Sequence, residues 1–225
     1  MGFQPTVGTS LNLNGVNHGI GEHPHAPGIP YGQEGRQGTV YLLVGEPSGK
    51  KKALKVFRPR FVKPSLVHVN QQIVKFSGMR GLAACEREIL TPAEHADLLN
   101  REPDLLYAVV MPWIDGPTWM DLLLEGRRLT RRESYTAAYA LAEILLGMEQ
   151  RGIAHCDLSG PNVMLPMFRQ DKASVKSSDF VQLIDLEQMF APQMEQPEEM
   201  AAGSPGYAPK FMPEGGAWHR HADRF

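Results

Sequence analysis

The chain has 225 residues, 42% of them hydrophobic and 21% charged, with a formal net charge of −2. This balance is that of an ordinary globular protein with enough apolar surface for a sizeable core, and it excludes a global electrostatic pull toward nucleic acid or anionic lipid. Two cysteines exclude a disulfide framework, no apolar stretch approaches the roughly 18 residues of a membrane span, and the N-terminus lacks a charged-then-apolar secretory pattern. The expectation is a cytoplasmic protein with no nucleic-acid and no membrane partner.

Residues 1–30 are rich in Gly, Asn, Pro and His and read as a flexible N-terminal extension without helical or strand periodicity. His18, His23 and His25 lack Cys or carboxylate partners at ligand spacing, so they read as solvated tail rather than metal ligands. A glycine-rich stretch follows, Gly32-Gln33-Glu34-Gly35-Arg36-Gln37-Gly38, running into Thr39-Val40-Tyr41. Residues 39–44 and 52–57 are β-rich runs around the turn formers Glu46-Pro47-Ser48-Gly49 and predict a hairpin. Its second strand carries Ala53-Leu54-Lys55-Val56, and Lys50, Lys51, Lys52, Arg58, Arg60 and Lys63 surround it. No acidic residue appears from Lys50 to Cys85, and without interleaved aromatics such a run suits phosphate attraction better than nucleic-acid binding.

Residues 66–76 carry Val67, Val69, Ile73, Val74 and Phe76 and read as a helix; residues 107–111 read as a buried strand, followed by the connection Pro112-Trp113-Ile114-Asp115-Gly116. Trp113 and Trp119 read as core aromatics. Thr130-Arg131-Arg132-Glu133 is a capping box, Ala137, Leu141, Ile144, Leu145 and Met148 recur at helical spacing, and Gly152 terminates the helix. The chain then enters His155-Cys156-Asp157-Leu158-Ser159-Gly160-Pro161-Asn162. Residues 167–179 are polar and read as an exposed loop, after which Val181, Leu183 and Ile184 form a short strand ending at Asp185-Leu186-Glu187.

In this order the segments resemble the protein kinase family, specifically the compact eukaryotic-like serine/threonine kinases of bacteria. The likeness runs from Gly32 to the C-terminus. Gly203-Ser204-Pro205-Gly206-Tyr207-Ala208-Pro209 is similar to the substrate-side end of an activation segment, and Ala222-Asp223-Arg224-Phe225 to the start of the helix whose aspartate braces the catalytic loop. The resemblance implies an α+β, two-lobed protein-kinase-like fold, with a β-rich small lobe over residues 31–114 and an incomplete, C-terminally truncated helical large lobe over 115–225. It implies ATP and Mg²⁺ as cofactors. Gly32, Gly35, Gly38, Val40 and Lys55 would bind the nucleotide, Asp157 would act as catalytic base, and Asn162 and Asp185 would hold the metal. His155 would support the loop's backbone. A protein substrate and a partner phosphatase are the implied partners.

Departures from the family pattern matter as well. Gln33 stands at the first loop glycine, and Cys156 replaces the arginine that pairs with an activation-segment phosphate. Ser159 replaces a lysine, and Leu186-Glu187 replaces Phe-Gly. Nothing acidic lies between Lys55 and Glu86, so Gln71 or Gln72 is the expected helical partner of Lys55, with Glu86 or Glu88 reaching it only from the next strand. The expected activity is γ-phosphoryl transfer to protein serine or threonine. The alternatives are a pseudokinase serving as a nucleotide-binding or scaffolding module and a small-molecule kinase, the latter disfavoured by residues 203–209.

Overall fold

The computed structural model describes residues 2–169, 175–198, 207 and 218–224. The chain divides into two compact units, Met1–Gln71 with Glu86–Trp113, and Gln72–Cys85 with Ile114–Phe225. Together they make an α+β protein. Among the described residues no helix is long and apolar enough to cross a membrane.

The first unit is built on an antiparallel sheet. Its strands are β1 (Ser10–Leu13), β2 (Val16–Ile20), β5 (Gly32–Glu34), β6 (Gly38–Gly45), β7 (Lys51–Phe57), β8 (Glu88–Ile89) and β9 (Val109–Pro112), while β3 (Glu22–His23) and β4 (Ala26–Pro30) pair separately. The order is β1-β2-β6-β7-β9-β8, with β5 on the same edge of β6 as β2: residues 43–45 of β6 face β2 and residues 39–41 face β5. The hairpin expected around Glu46-Pro47-Ser48-Gly49 is β6–β7. Helix α1 (Ser65–Val74) covers the segment read as helical except Lys75 and Phe76, and α2 (Pro92–Arg101) follows β8.

Residues 1–30 are not an unstructured extension. Leu11 and Leu13 alternate with Ser10 and Asn12, and Asn14-Gly15, both at positive φ, makes a two-residue turn of the kind whose twist matches paired strands. Phe3, Leu11, Leu13 and Ile20 then join Leu43, Leu54, Leu90, Leu105 and Val110 in one core. The turn is also tied down, because Asn14 Nδ2 donates to Glu88 Oε1 (2.8 Å), the same oxygen that meets His95 Nε2 at 2.9 Å. Thr91 N donates to His95 Nδ1, so the ring proton sits on Nε2 and is donated to Glu88. His18 is buried and its Nδ1 lies 3.0 Å from Val16 O, which removes it from any solvated tail.

In the second unit α3 (Trp119–Leu124) and α4 (Arg131–Gln150) both begin with complete capping boxes, Thr118/Asp121 and Thr130/Glu133. Helix α4 buries Ala137, Ala140, Ile144 and Met148 and ends in a Schellman arrangement: Gly152 (φ 69°) donates to Glu149 O and Ile153 to Met148 O. Strands β10 (Val163–Met164) and β11 (Gln182–Leu183) form an antiparallel pair. The loop expected to be exposed over 167–179 is anchored at its start. Phe168 is buried, with the Arg127 guanidinium 4.3 Å from its ring centre.

Gly38 and Gly147 make a matched test of these packing statements. A Cβ on Gly38 would lie 2.0 Å from Val56 O, because β6 and β7 approach there without room for a side chain, whereas one on Gly147, inside α4, meets nothing within 4 Å. Gly38→Ala is expected to cost about 1–3 kcal/mol. Gly147→Ala should stabilise by about 0.5–1 kcal/mol. Thermal melting of the two variants checks both signs.

Candidate functional site

Residues of the first unit are organised by the β6–β7 ladder. Val40 and Lys55 are directly opposed across it, so they share a face, and Gly38 opposes Phe57. The turn from β5 into β6 closes when Gly35 N donates to Gly38 O at 2.7 Å. Gly32 carries no Cβ because the Tyr41 ring would lie 2.8 Å from it. Lys55 is only 5% exposed, and a buried ammonium needs partners. Its Nζ donates to Gln37 Oε1 at 3.1 Å and lies 5.2 Å from the centre of the Phe57 ring.

Gln37 is therefore an acceptor that the first unit itself supplies to Lys55, a residue the sequence reading passes over. Its place in the glycine-rich turn is the signal that could have found it. Of the expected partners, Gln72 Oε1 accepts from Lys75 Nζ (2.6 Å) and Glu88 is engaged by His95 and Asn14.

Residues of the second unit form a continuous hydrogen-bonded loop. Asp157 N donates to His155 Nδ1 (3.3 Å), so the His155 proton is on Nε2, which lies 2.8 Å from Ile184 O and donates to it. The amide of Ile184 in turn donates to Asn162 O (3.0 Å), and Asn162 Nδ2 donates to Asp157 O (2.8 Å). Both faces of the Ile184 peptide are held by the loop that carries Asp157. The register Val163↔Leu183 places Asn162 and Asp185 at the same end of the β10–β11 pair. Asp185 then adopts a left-handed conformation (φ 62°, ψ 55°), sparsely populated for a side-chain-bearing residue and tolerated best by Asn, Asp and Gly.

The loop backbone is braced from a distance. Asp223 accepts from His155 N (Oδ2, 2.6 Å) and from Cys156 N (Oδ1, 3.0 Å), while Cys156 is itself held at φ 62°. This is the contact expected of Asp223. The Nδ2 of Asn162 is committed to Asp157 O, and its Oδ1 and the Asp185 carboxylate are the side-chain oxygens of these two residues. Both are hard oxygen donors of the type Mg²⁺ takes. The segment 203–209 lies outside the described residues except for Tyr207, whose hydroxyl would sit 3.0 Å from a Cβ on Gly160.

The Cys156 thiol is pushed up to about 12, first by burial and next by the Asp223 carboxylate. The sign follows: an unfolded cysteine loses its proton near 9.0, so the stability associated with Cys156 is intact below that pH and is lost as pH rises toward 12. The native thiol should resist iodoacetamide at pH 8 and gain reactivity only in strong alkali. Asp223→Asn leaves a single acceptor oxygen for two amides, and an orphaned buried amide costs about 1–3 kcal/mol. That variant should melt earlier, and its Cys156 should alkylate at lower pH than in the wild type.

No family model matches the chain. Over 184 residues, 78% of its length, it is 30% identical to the serine/threonine-protein kinase dkf-1 of Caenorhabditis elegans, covering 23% of that protein. It is equally similar to the serine/threonine-protein kinase dkf-1 of Caenorhabditis briggsae, 30% identical over 184 residues and covering 21% of it. The chain thus spans less than a quarter of the length of these curated relatives, and its sequence is distantly related to that of a serine/threonine-protein kinase.

Proposed function

We propose that the chain is a phosphotransferase of the protein kinase family, of the compact type found in bacteria, which binds ATP with Mg²⁺ and transfers the γ-phosphoryl group to a serine or threonine hydroxyl of a protein. The observation that carries this reading is the closed set of hydrogen bonds through His155, Asp157, Asn162 and Ile184, which ties the loop of Asp157 to the strand end of Asp185. The distant relationship to a serine/threonine-protein kinase supports it. In this reading the first unit serves as small lobe and the second as the catalytic part of a large lobe, in the cytoplasm, where Cys85 and Cys156 stay reduced.

Each residue has a stated task. The Asp157 carboxylate orients the substrate hydroxyl and accepts its proton as the new O–P bond forms and the bond to ADP breaks. Asn162 Oδ1 and the Asp185 carboxylate would hold Mg²⁺, which would supply positive charge against the phosphates. Lys55 offers its ammonium to the phosphates, and Gly32, Gly35, Gly38 and Val40 shape the turn that covers them. A nucleotide-binding module without transfer is the second reading. It is favoured by Ser159 in place of a basic residue and by the lack of any acidic residue between Lys55 and Glu86 in the sequence.

Transfer of label from γ-labelled ATP to a mixture of serine- and threonine-containing peptides tests the proposal on the full chain. Asp157→Ala is expected to lower transfer by about 10²–10⁴-fold while leaving ATP affinity within a few-fold, since the residue serves the hydroxyl and not the nucleotide. Asp185→Asn should abolish the Mg²⁺-dependent part of thermal stabilisation by ATP. Wild-type transfer no greater than that of Asp157→Ala, with magnesium-dependent stabilisation intact, selects the binding module over the enzyme.

A further inference from the structure

Helix α4 carries a second face that its own unit does not use. The buried side is Ala137, Ala140, Ile144 and Met148. At about 100° per residue, Arg132, Tyr135, Tyr139, Ala142, Leu146 and Glu149 fall within an arc of about 100° on the diametrically opposite side. Tyr135, Tyr139 and Leu146 are 63%, 67% and 57% exposed, a row of large apolar side chains along one helix. Scattered exposed hydrophobics need no explanation, but a continuous row does.

The order of this row is a palindrome in chemical character. Two basic residues, Arg131 and Arg132, open it, and Glu149 and Gln150 close it. Tyr135 and Leu146 stand equally far from its midpoint, and Tyr139 and Ala142 pair a large side chain with a small one across the centre. Laid antiparallel on a copy of itself, the row brings every residue against a complement: ion pair, aromatic on aliphatic, large against small, then the same in reverse. This is the self-complementarity that a two-fold interface requires.

We propose that two copies of this chain associate through α4 in antiparallel fashion about a two-fold axis level with Ala140 and Leu141. Tyr135 of each copy lies on Leu146 of the other, Tyr139 on Ala142, and Arg132 ion-pairs with Glu149 at both ends. A cavity of about 300 Å³, lined by Ala142, Leu145, Leu146, Ile153, Arg220 and Arg224, opens beside Leu146 and receives the Tyr135 ring of the second copy. Glu149 already pairs with Arg224 of its own chain, which holds its carboxyl below the usual carboxylate range, so the incoming Arg132 would share that carboxylate with Arg224. Three large side chains and two charged stems per copy bring the contact only to the low end of the roughly 1,200–2,000 Å² of a standard interface, so association belongs in the micromolar range. The inference is independent of the phosphotransferase reading.

Sedimentation velocity of the full chain across micromolar concentrations tests it, with circular dichroism and melting temperature confirming that each variant is folded. The wild type is expected to pass from monomer to dimer. Leu146→Glu should suppress the dimer, and Arg132→Glu or Glu149→Arg alone, each setting like charges together at both ends, should raise Kd by about tenfold. The double variant Arg132→Glu with Glu149→Arg exchanges the ends and should return Kd to within about threefold of the wild type. Placing cysteines at both Tyr139 and Ala142 should give a covalent dimer on oxidation, since Cys85 and Cys156 are buried. A wild type that stays monomeric throughout, a dimer indifferent to the single variants, or a double variant no better than the worse single variant would each overturn the proposal.

Discussion

The second unit depends on one carboxylate. Asp223 takes two consecutive backbone amides of the His155-Cys156 loop, groups that have no partner in a helix or strand and that burial would otherwise penalise. With those amides satisfied, Cys156 can be held in a left-handed conformation that a side-chain-bearing residue adopts only under compulsion, and the chain turns so that His155 reaches Ile184. From Ile184 the order passes to the Asn162 carbonyl and, through the Asn162 side-chain amide, back to the Asp157 carbonyl. The backbone of Asp157 is thereby held at both its amide and its carbonyl.

The first unit meets a comparable problem by different means. A lysine that is almost wholly buried must be solvated by the protein, and the groups that do so include an amide oxygen from the glycine turn and an aromatic face from the same strand.

What the sequence made legible follows the range of the interaction concerned. The capping box at Thr130 and the Gly152 terminator are local and stand where they were expected. The pairing of residues 39–44 with 52–57 is a short-range hairpin and was equally visible. The N-terminal hairpin was hidden although its Asn14-Gly15 turn is a strong signal, because a count of Gly, Asn, Pro and His over 30 residues averages away the alternation of Leu11 and Leu13. Gln37 was hidden for another reason: an amide in a turn has no periodicity, and its role exists only once β6 and β7 have brought Lys55 beside it. Asp223 was legible only through resemblance, for nothing in its neighbourhood points 67 residues back to Cys156.

That separation has a consequence for how the chain acquires its shape. Closing a loop of 68 residues adds little to the equilibrium cost, since each doubling of length takes only about 0.6 kcal/mol, but contacts far apart in sequence form late. During synthesis the His155 segment emerges well before its acceptor. Until Asp223 arrives, the amides of His155 and Cys156 must be hydrated, the left-handed turn at Cys156 is unsupported, and the Cys156 thiol stands outside the burial that later silences it. The interval between residues 156 and 223 is thus a window in which the nascent protein carries an unburied cysteine, and folding closes that window by completing the loop.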